Sequence, residues 1–118
     1  MTRRIERVNE LVKEVVSGAV LKTLQFQEGT MVTVTRVVVS PDLHYTNIFV
    51  TIFSPDKTTR EEAFVQLKKA TPAIQHELNR ALRMRPVPRI QFLMDEEETR
   101  RERVEELLAE DRHNSANS

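Results

Sequence analysis

Hydrophobic residues recur along this chain with two different periods. Between Ile5 and Val20 they return every three or four positions, which is the spacing of an amphipathic helix. From Met31 to Ser40, and again from Tyr45 to Phe53, β-branched and aromatic residues alternate with polar ones. This alternation predicts two strands, and the short connection between them predicts an antiparallel hairpin.

A second helical pattern follows the strand that ends at Phe53. We predict its N-cap at Thr58 or Thr59, because Glu61 or Glu62 then stands three residues later and completes a capping box.

This second helix is expected to break at Thr71 and Pro72. Thr71 is a suitable N-cap, and Pro72 then takes the first position of a new helix, where its missing N–H costs nothing. Pro86 and Pro88 end that helix, and a third strand is predicted over Arg89–Met94. The order of elements predicts an α+β fold, with helices covering one face of a three-stranded sheet.

The composition fits one domain with an aliphatic core. The 118 residues include 5% aromatic residues, no Trp and no Cys. The absence of Cys excludes disulfides and thiol chemistry. It suits a reducing cytosol, which is the location that we expect, although it does not by itself fix the compartment. The N-terminal stretch lacks the apolar core of a signal peptide, and no run reaches the length of a membrane span.

The zero net charge conceals two oppositely charged parts. Residues 1–94 carry 14 Lys and Arg and 9 Asp and Glu, a net +5, whereas residues 95–118 carry 4 and 9, a net −5. We therefore expect a folded domain over residues 1–95 and an acidic tail over 96–118, helical from Thr99 to Glu110 and then disordered. The adjacent acids from Asp95 to Glu98 are expected to face solvent.

Basic residues concentrate in the last part of the folded region, where a phosphate backbone could bind. The candidates are Lys68, Lys69, Arg80, Arg83, Arg85 and Arg89. Arg83 and Arg85 are preferred, because a guanidinium fork can give two hydrogen bonds to one phosphate. The alternative is a solvated helix face on which Glu77 pairs with Arg80.

Arg3, Arg4 and Arg7 extend the candidate surface, unless they pair with Glu6 and Glu10 instead. No glycine-rich phosphate loop, nucleophile–base set or metal-ligand spacing stands out, so we expect neither an enzyme nor a cofactor or metal.

Four segments together resemble the ribosome-binding factor A family, over roughly Arg3 to Leu108. They are VTVTRVVVSPDL, NIFVTIF, IQHELNRALRMRPVPRIQF and the tail segment RVEELL. The order of elements also matches the type II KH-like topology, with a kink between its second and third helices. The resemblance implies a protein that binds the maturing small (30S) ribosomal subunit and its 16S rRNA, assists late rRNA maturation and processing, and leaves before translation.

The resemblance also implies a monomer, without cofactor or membrane, for which ribosomal proteins are further candidate partners. In this family an interhelical kink, typically Ala-x-Gly, replaces the GxxG loop with which KH domains clamp nucleotides. The matching positions are Ala70, Thr71 and Pro72, so the final Gly has become Pro. Two alternatives stay open, a general KH-like RNA-binding protein without ribosome specificity and a protein–protein adaptor.

Overall fold

The computed structural model describes residues 2–97 and residue 108, and the tail helix expected over Thr99–Glu110 lies almost wholly outside this range. The division into a domain and an acidic tail stays a prediction. The elements in chain order are α1 (Thr2–Thr23), β1 (Met31–Val39), β2 (Tyr45–Phe53), α2 (Lys57–Ala81) and β3 (Arg89–Met94).

The three strands form one sheet in the order β1-β2-β3. β1 pairs with β2 as the predicted antiparallel hairpin, with a register shift between Val34 and Arg36 that leaves Thr35 in a bulge. β3 pairs with β2 in parallel, starting from Tyr45 opposite Arg89. β2 is therefore the central strand, and β3 is an edge strand reached through α2.

Both helices pack on the same face of the sheet, which confirms the predicted α+β architecture. The largest fully buried aliphatic side chains come from α1, β2 and α2: Val12, Val16, Ile48, Val50, Leu67, Ile74 and Leu78. Full burial of each such side chain contributes about 1.5–3 kcal/mol. The core is aliphatic, as the composition predicts.

The N-cap of α2 is Asp56, and the prediction of Thr58 or Thr59 is wrong. The Asp56 carboxylate accepts a hydrogen bond of 2.7 Å from the backbone N–H of Thr59. This hydrogen bond holds the pKa of Asp56 below its usual value. A carboxylate is favoured over a hydroxyl here, because its negative charge interacts with the positive end of the helix dipole.

α2 is one continuous helix, so the predicted break into two helices at Thr71 and Pro72 is wrong. The Thr71 hydroxyl donates to the Leu67 carbonyl at 3.1 Å and does not cap a new helix. Leu67 and Ile74, on either side of Pro72, are both fully buried in the core. Burial of this unbroken apolar stripe outweighs the cost of about 3 kcal/mol for a proline within a helix.

Asp95 is buried, and the expectation that it faces solvent is wrong. Its carboxylate accepts a hydrogen bond from the Thr35 hydroxyl and lies 3.6 Å from Nε of Arg36. Its backbone N–H donates to the Val50 carbonyl at 2.8 Å, which continues the β2–β3 ladder. Glu96 and Glu97, in contrast, are exposed as expected.

Candidate nucleic-acid interface

The chain topology brings the start of α1, the end of α2 and the start of β3 to one end of the molecule. The Asn9 side chain of α1 accepts a hydrogen bond of 2.9 Å from the backbone N–H of Val39, where β1 ends. The N–H of Arg89 donates to the His44 carbonyl at 2.9 Å, just before β2 begins. Segments that are distant in sequence therefore meet here.

Seven of the nine candidate basic residues lie at this end, on exposed positions. We call this surface the basic end; it consists of Arg3, Arg4, Arg7, Arg80, Arg83, Arg85 and Arg89. The arginines of α1 come from the first two turns of that helix, and the others come from the end of α2 and the connection to β3. The fold thus gathers arginines that the sequence separates into two groups.

The arginines of the basic end are not neutralised by neighbouring acids in the described part of the chain. Within residues 2–97 none of the seven forms an ion pair, including the alternatives with Glu6, Glu10 or Glu77. Apart from that of Arg85, the guanidinium groups are therefore available to an anionic partner, and an exposed intramolecular pair would in any case contribute little.

Arg85 differs from the other arginines because its side chain is already engaged. Its Nη1 donates to the carbonyls of Leu82 and Met84, at 3.1 and 2.8 Å. These bonds satisfy carbonyl groups next to the C-terminus of α2. Arg83 makes no such contact with any residue that the structure describes, so it is the freer of the two preferred candidates there.

Lys68 and Lys69 lie away from the basic end, about 18 Å from Arg80 along the axis of α2. Lys69 shares a helix stripe with His76 and Arg80, at spacings of seven and eleven residues. Lys68 points instead toward β3, with its ammonium 5.0 Å from the centre of the Phe64 ring. The two lysines therefore face different neighbours.

Arg89 points away from the helices. Ile90 and Phe92 are buried against them, so the alternation of a strand places Arg89 on the open face of the sheet, in register with Tyr45. The candidate arginines thus lie on two surfaces. One surface surrounds the start of α1 and the end of α2, and the other is the sheet face that the helices leave open. A single flat contact would not reach all of them.

The hairpin turn over residues 40–44 also lies at the basic end, and the sequence pattern did not indicate this. The Asp42 carboxylate accepts hydrogen bonds from the Ser40 hydroxyl and the His44 N–H, at 2.6 and 3.0 Å. These bonds, the one from Ser40 first, lower the pKa of Asp42. The turn therefore holds one fixed negative charge at the same end of the molecule.

The described residues form neither a metal-binding cluster nor a membrane-spanning helix. No three His, Asp or Glu side chains of that part come together as ligands for a metal ion. No helix in the described part is long and apolar enough to cross a membrane.

Comparison with known proteins gives a consistent family. A family model described as ribosome-binding factor A matches residues 4–108. The ribosome-binding factor A of Chlamydia pneumoniae is 32% identical over 108 residues, which cover 90% of this chain and 89% of that protein.

Solved structures show the same fold. The crystal structure of ribosome-binding factor A from Thermus thermophilus has a TM-score of 0.61 at 23% identity, covering 76% of this chain and 94% of that one. A homology model of the Thermus thermophilus factor, fitted into a cryo-EM map of a complex with the 30S subunit, has a TM-score of 0.55 at 24% identity. That match covers 75% of this chain and 88% of the fitted one.

Proposed function

Since the chain belongs to the ribosome-binding factor A family, we propose that it binds the maturing 30S subunit and assists late maturation of 16S rRNA. It leaves the subunit before translation begins. The observation that carries this proposal is the basic end, where seven exposed arginines lie without an acidic partner in the described part of the chain. The homologous Thermus thermophilus factor fitted into a 30S complex supports the same partner.

The proposed mechanism is occupancy rather than catalysis. Arginines of the basic end contact phosphates of rRNA helices, and these contacts position the protein without reading sequence. The two surfaces of the basic end suit a folded RNA better than an extended strand, so shape supplies most of the selectivity. The nuclease that processes the rRNA is then a separate protein, and this chain acts as a cytoplasmic monomer.

Co-sedimentation with ribosomal particles tests the proposal. An Arg80→Glu/Arg83→Glu variant reverses two charges at the basic end and spares Arg85, which has a structural contact. A Lys22→Glu/Lys57→Glu variant makes the same change in net charge at the opposite end, where α1 ends and α2 begins.

We expect the wild-type chain and the control variant to sediment with free small subunits and not with translating ribosomes. The Arg80→Glu/Arg83→Glu variant is expected to remain at the top of the gradient. Retained binding in that variant would move the site elsewhere, and wild-type protein found only at the top would favour the adaptor or the general RNA-binding protein.

Salt dependence gives a second measurement. The logarithm of the binding constant falls with the logarithm of the salt concentration by roughly 0.7–0.9 for each phosphate contact. Loss of two contacts should therefore reduce this slope by roughly 1.4–1.8 in the arginine variant. An unchanged slope would contradict phosphate contacts at Arg80 and Arg83.

A further inference from the structure

The outer edge of β3 has backbone groups without partners. The N–H groups of Arg89 and Asp95 donate to β2, so the groups of the alternate residues Ile90, Phe92 and Met94 point away from it. In the part of the chain that the structure describes, no residue hydrogen-bonds the N–H of Phe92 or Met94. Unpaired edge groups of this kind are a template for another strand.

The first position of this edge is already covered by a side chain that imitates a strand. Gln75 accepts a hydrogen bond of 2.9 Å from the N–H of Ile90 through Oε1, and its Nε2 donates to the Pro88 carbonyl at 3.0 Å. Its amide therefore bonds the edge as a peptide group of a neighbouring strand would. Among the described residues, 2–97 and 108, this protection ends after Ile90, and none of them covers the outward groups of Phe92 and Met94.

A groove of about 450 Å³ runs along the uncovered positions. Its walls come from Phe64, Lys68 and Thr71 of α2 and from residues 90–94 of β3. Phe92 is only 2% exposed, so its outward backbone groups lie at the bottom of this groove with little access to water. Buried backbone groups are costly to leave unpaired. The groove therefore combines apolar walls with backbone N–H and C=O groups of β3 that lack hydrogen-bond partners in the described part of the chain.

The walls favour a peptide over a nucleic acid. Lys68 is the one cation among the lining residues, and its ammonium rests over the Phe64 ring. At Thr71 the wall is a continuous helix, so no loop offers backbone N–H groups to phosphates. A polyanion would gain a single charge contact here, whereas an extended peptide would satisfy the edge and could place one carboxylate beside Lys68.

We propose that the edge of β3 binds an extended segment of a protein partner, which adds a fourth strand to the sheet and places an acidic side chain next to Lys68. From Ile90 to Met94 the edge is about 13 Å long, so the segment has about four to six residues. The contact goes beyond the proposed rRNA binding and uses none of the arginines of the basic end. It holds whether or not the protein binds rRNA.

Selection from a library of random displayed peptides against the full chain tests this inference. We expect enriched sequences that alternate aliphatic and acidic residues. In the ¹⁵N-labelled chain, the selected synthetic peptide should shift the amide signals of Phe92 and Met94 and slow their hydrogen exchange.

Met94→Pro removes the outward N–H at that position and leaves every β2–β3 hydrogen bond in place, while Met94→Ala removes the side chain and keeps the N–H. We expect Met94→Pro to weaken peptide binding roughly tenfold or more, since a strand hydrogen bond is lost and the ring obstructs the edge. Met94→Ala, which removes one apolar side chain from the groove wall but keeps the N–H, should weaken binding much less than Met94→Pro does. Lys68→Glu, which leaves the backbone unchanged, should also weaken binding and reverse the preference for acidic peptides.

Three results would overturn the inference. They are the absence of enriched peptides, enriched peptides that bind Met94→Pro and Met94→Ala equally, and a uridine oligonucleotide that displaces the peptide from Phe92 and Met94. Thermal unfolding of each variant establishes that it is folded. None of these results depends on sedimentation with ribosomal particles, so failure here and failure of the proposed function are distinguishable.

Discussion

The carboxylate of Asp95 accepts a hydrogen bond of 2.6 Å from the hydroxyl of Thr35, sixty positions earlier in the chain. Thr35 is the bulged residue of β1, and Asp95 follows the last residue of β3. The bond therefore joins the two edge strands across the central strand. Arg36 adds to it, with Nε 3.6 Å from the same carboxylate and its guanidinium 4.0 Å from the centre of the Phe49 ring.

Replacement of Thr35 by Val should destabilise the fold. The change removes a hydrogen bond to a buried carboxylate, so we expect the free energy of unfolding to fall by about 1.5–3 kcal/mol. Thr33→Val is the matched control, because Thr33 is exposed on the same strand and should change stability by less than about 0.5 kcal/mol. Urea unfolding measures both, and equal effects would show that the Thr35–Asp95 bond contributes nothing specific.

The N-cap of α2 should make stability depend on pH. The pKa of Asp56 lies below its usual 3.8, because in the folded state the Thr59 N–H donates a hydrogen bond to the charged carboxylate. The stabilisation that the Asp56 carboxylate gives to the folded state is therefore complete above about pH 4. It is lost as the pH falls through the lowered pKa of the folded state. Asp56→Ala should unfold more easily than wild type at neutral pH, and the difference should shrink in acid.

The capping box predicted from the sequence provides the control for this measurement. Thr58→Ala and Glu62→Ala each change one residue of the two alternative boxes, Thr58 with Glu61 and Thr59 with Glu62, and should leave both stability and its pH dependence unchanged. A pH-independent difference between Asp56→Ala and wild type would show that the carboxylate charge is not what stabilises the helix end.

The two glycines should respond to alanine in opposite directions. Gly29 has φ +85°, and an added Cβ would lie 3.2 Å from Cγ of Pro55, so Gly29→Ala should destabilise by about 1–2 kcal/mol. Gly18 lies within α1 with nothing within 4 Å of an added Cβ, so Gly18→Ala should stabilise by about 0.5–1 kcal/mol. Changes of the same sign at both sites, measured by denaturant unfolding, would contradict this assignment.

Replacement of Pro72 by Ala should stabilise the protein. Alanine restores the N–H that the Lys68 carbonyl lacks in α2, and we expect a gain of about 1–3 kcal/mol. Pro72→Gly creates the Ala-x-Gly sequence that the family resemblance implies and should be less stable than Pro72→Ala. If sedimentation with small subunits is weaker for Pro72→Ala than for Pro72→Gly, flexibility of α2 at residues 70–72 has a role in binding; equal sedimentation would contradict that role.

Local patterns predicted the strands and the first helix well, because one face of each is buried. The alternation around Ile48 and Val50 predicted the hairpin and its buried face, and both residues are fully buried. The same reasoning could not show that β3 joins β2 in parallel, because that pairing depends on where α2 returns the chain. The sequence therefore did not indicate that Arg89 stands in register with Tyr45.

The errors come from competition between local and tertiary interactions. Thr71 and Pro72 have the local preferences of a helix start, but burial of Leu67 and Ile74 on one stripe keeps α2 continuous. Asp95 belongs by composition to the acidic tail, yet a partner sixty positions away places it in the interior. The sequence pattern identified each arginine of the basic end as a candidate. Only the chain topology shows that these arginines lie at one end of the molecule.

The position of Asp95 sets the order in which the molecule can be completed during synthesis. α1 and the β1–β2 hairpin are synthesised first. Thr35 can form its hydrogen bond to the Asp95 carboxylate only after the chain has been made through β3 and Asp95. A nascent chain that stops before β3 holds only the two strands of the hairpin, and one that stops at Met94 has all three strands but lacks the bond that joins the outer two. The residue that connects the first strand to the third is therefore made only after every strand of the sheet has been synthesised.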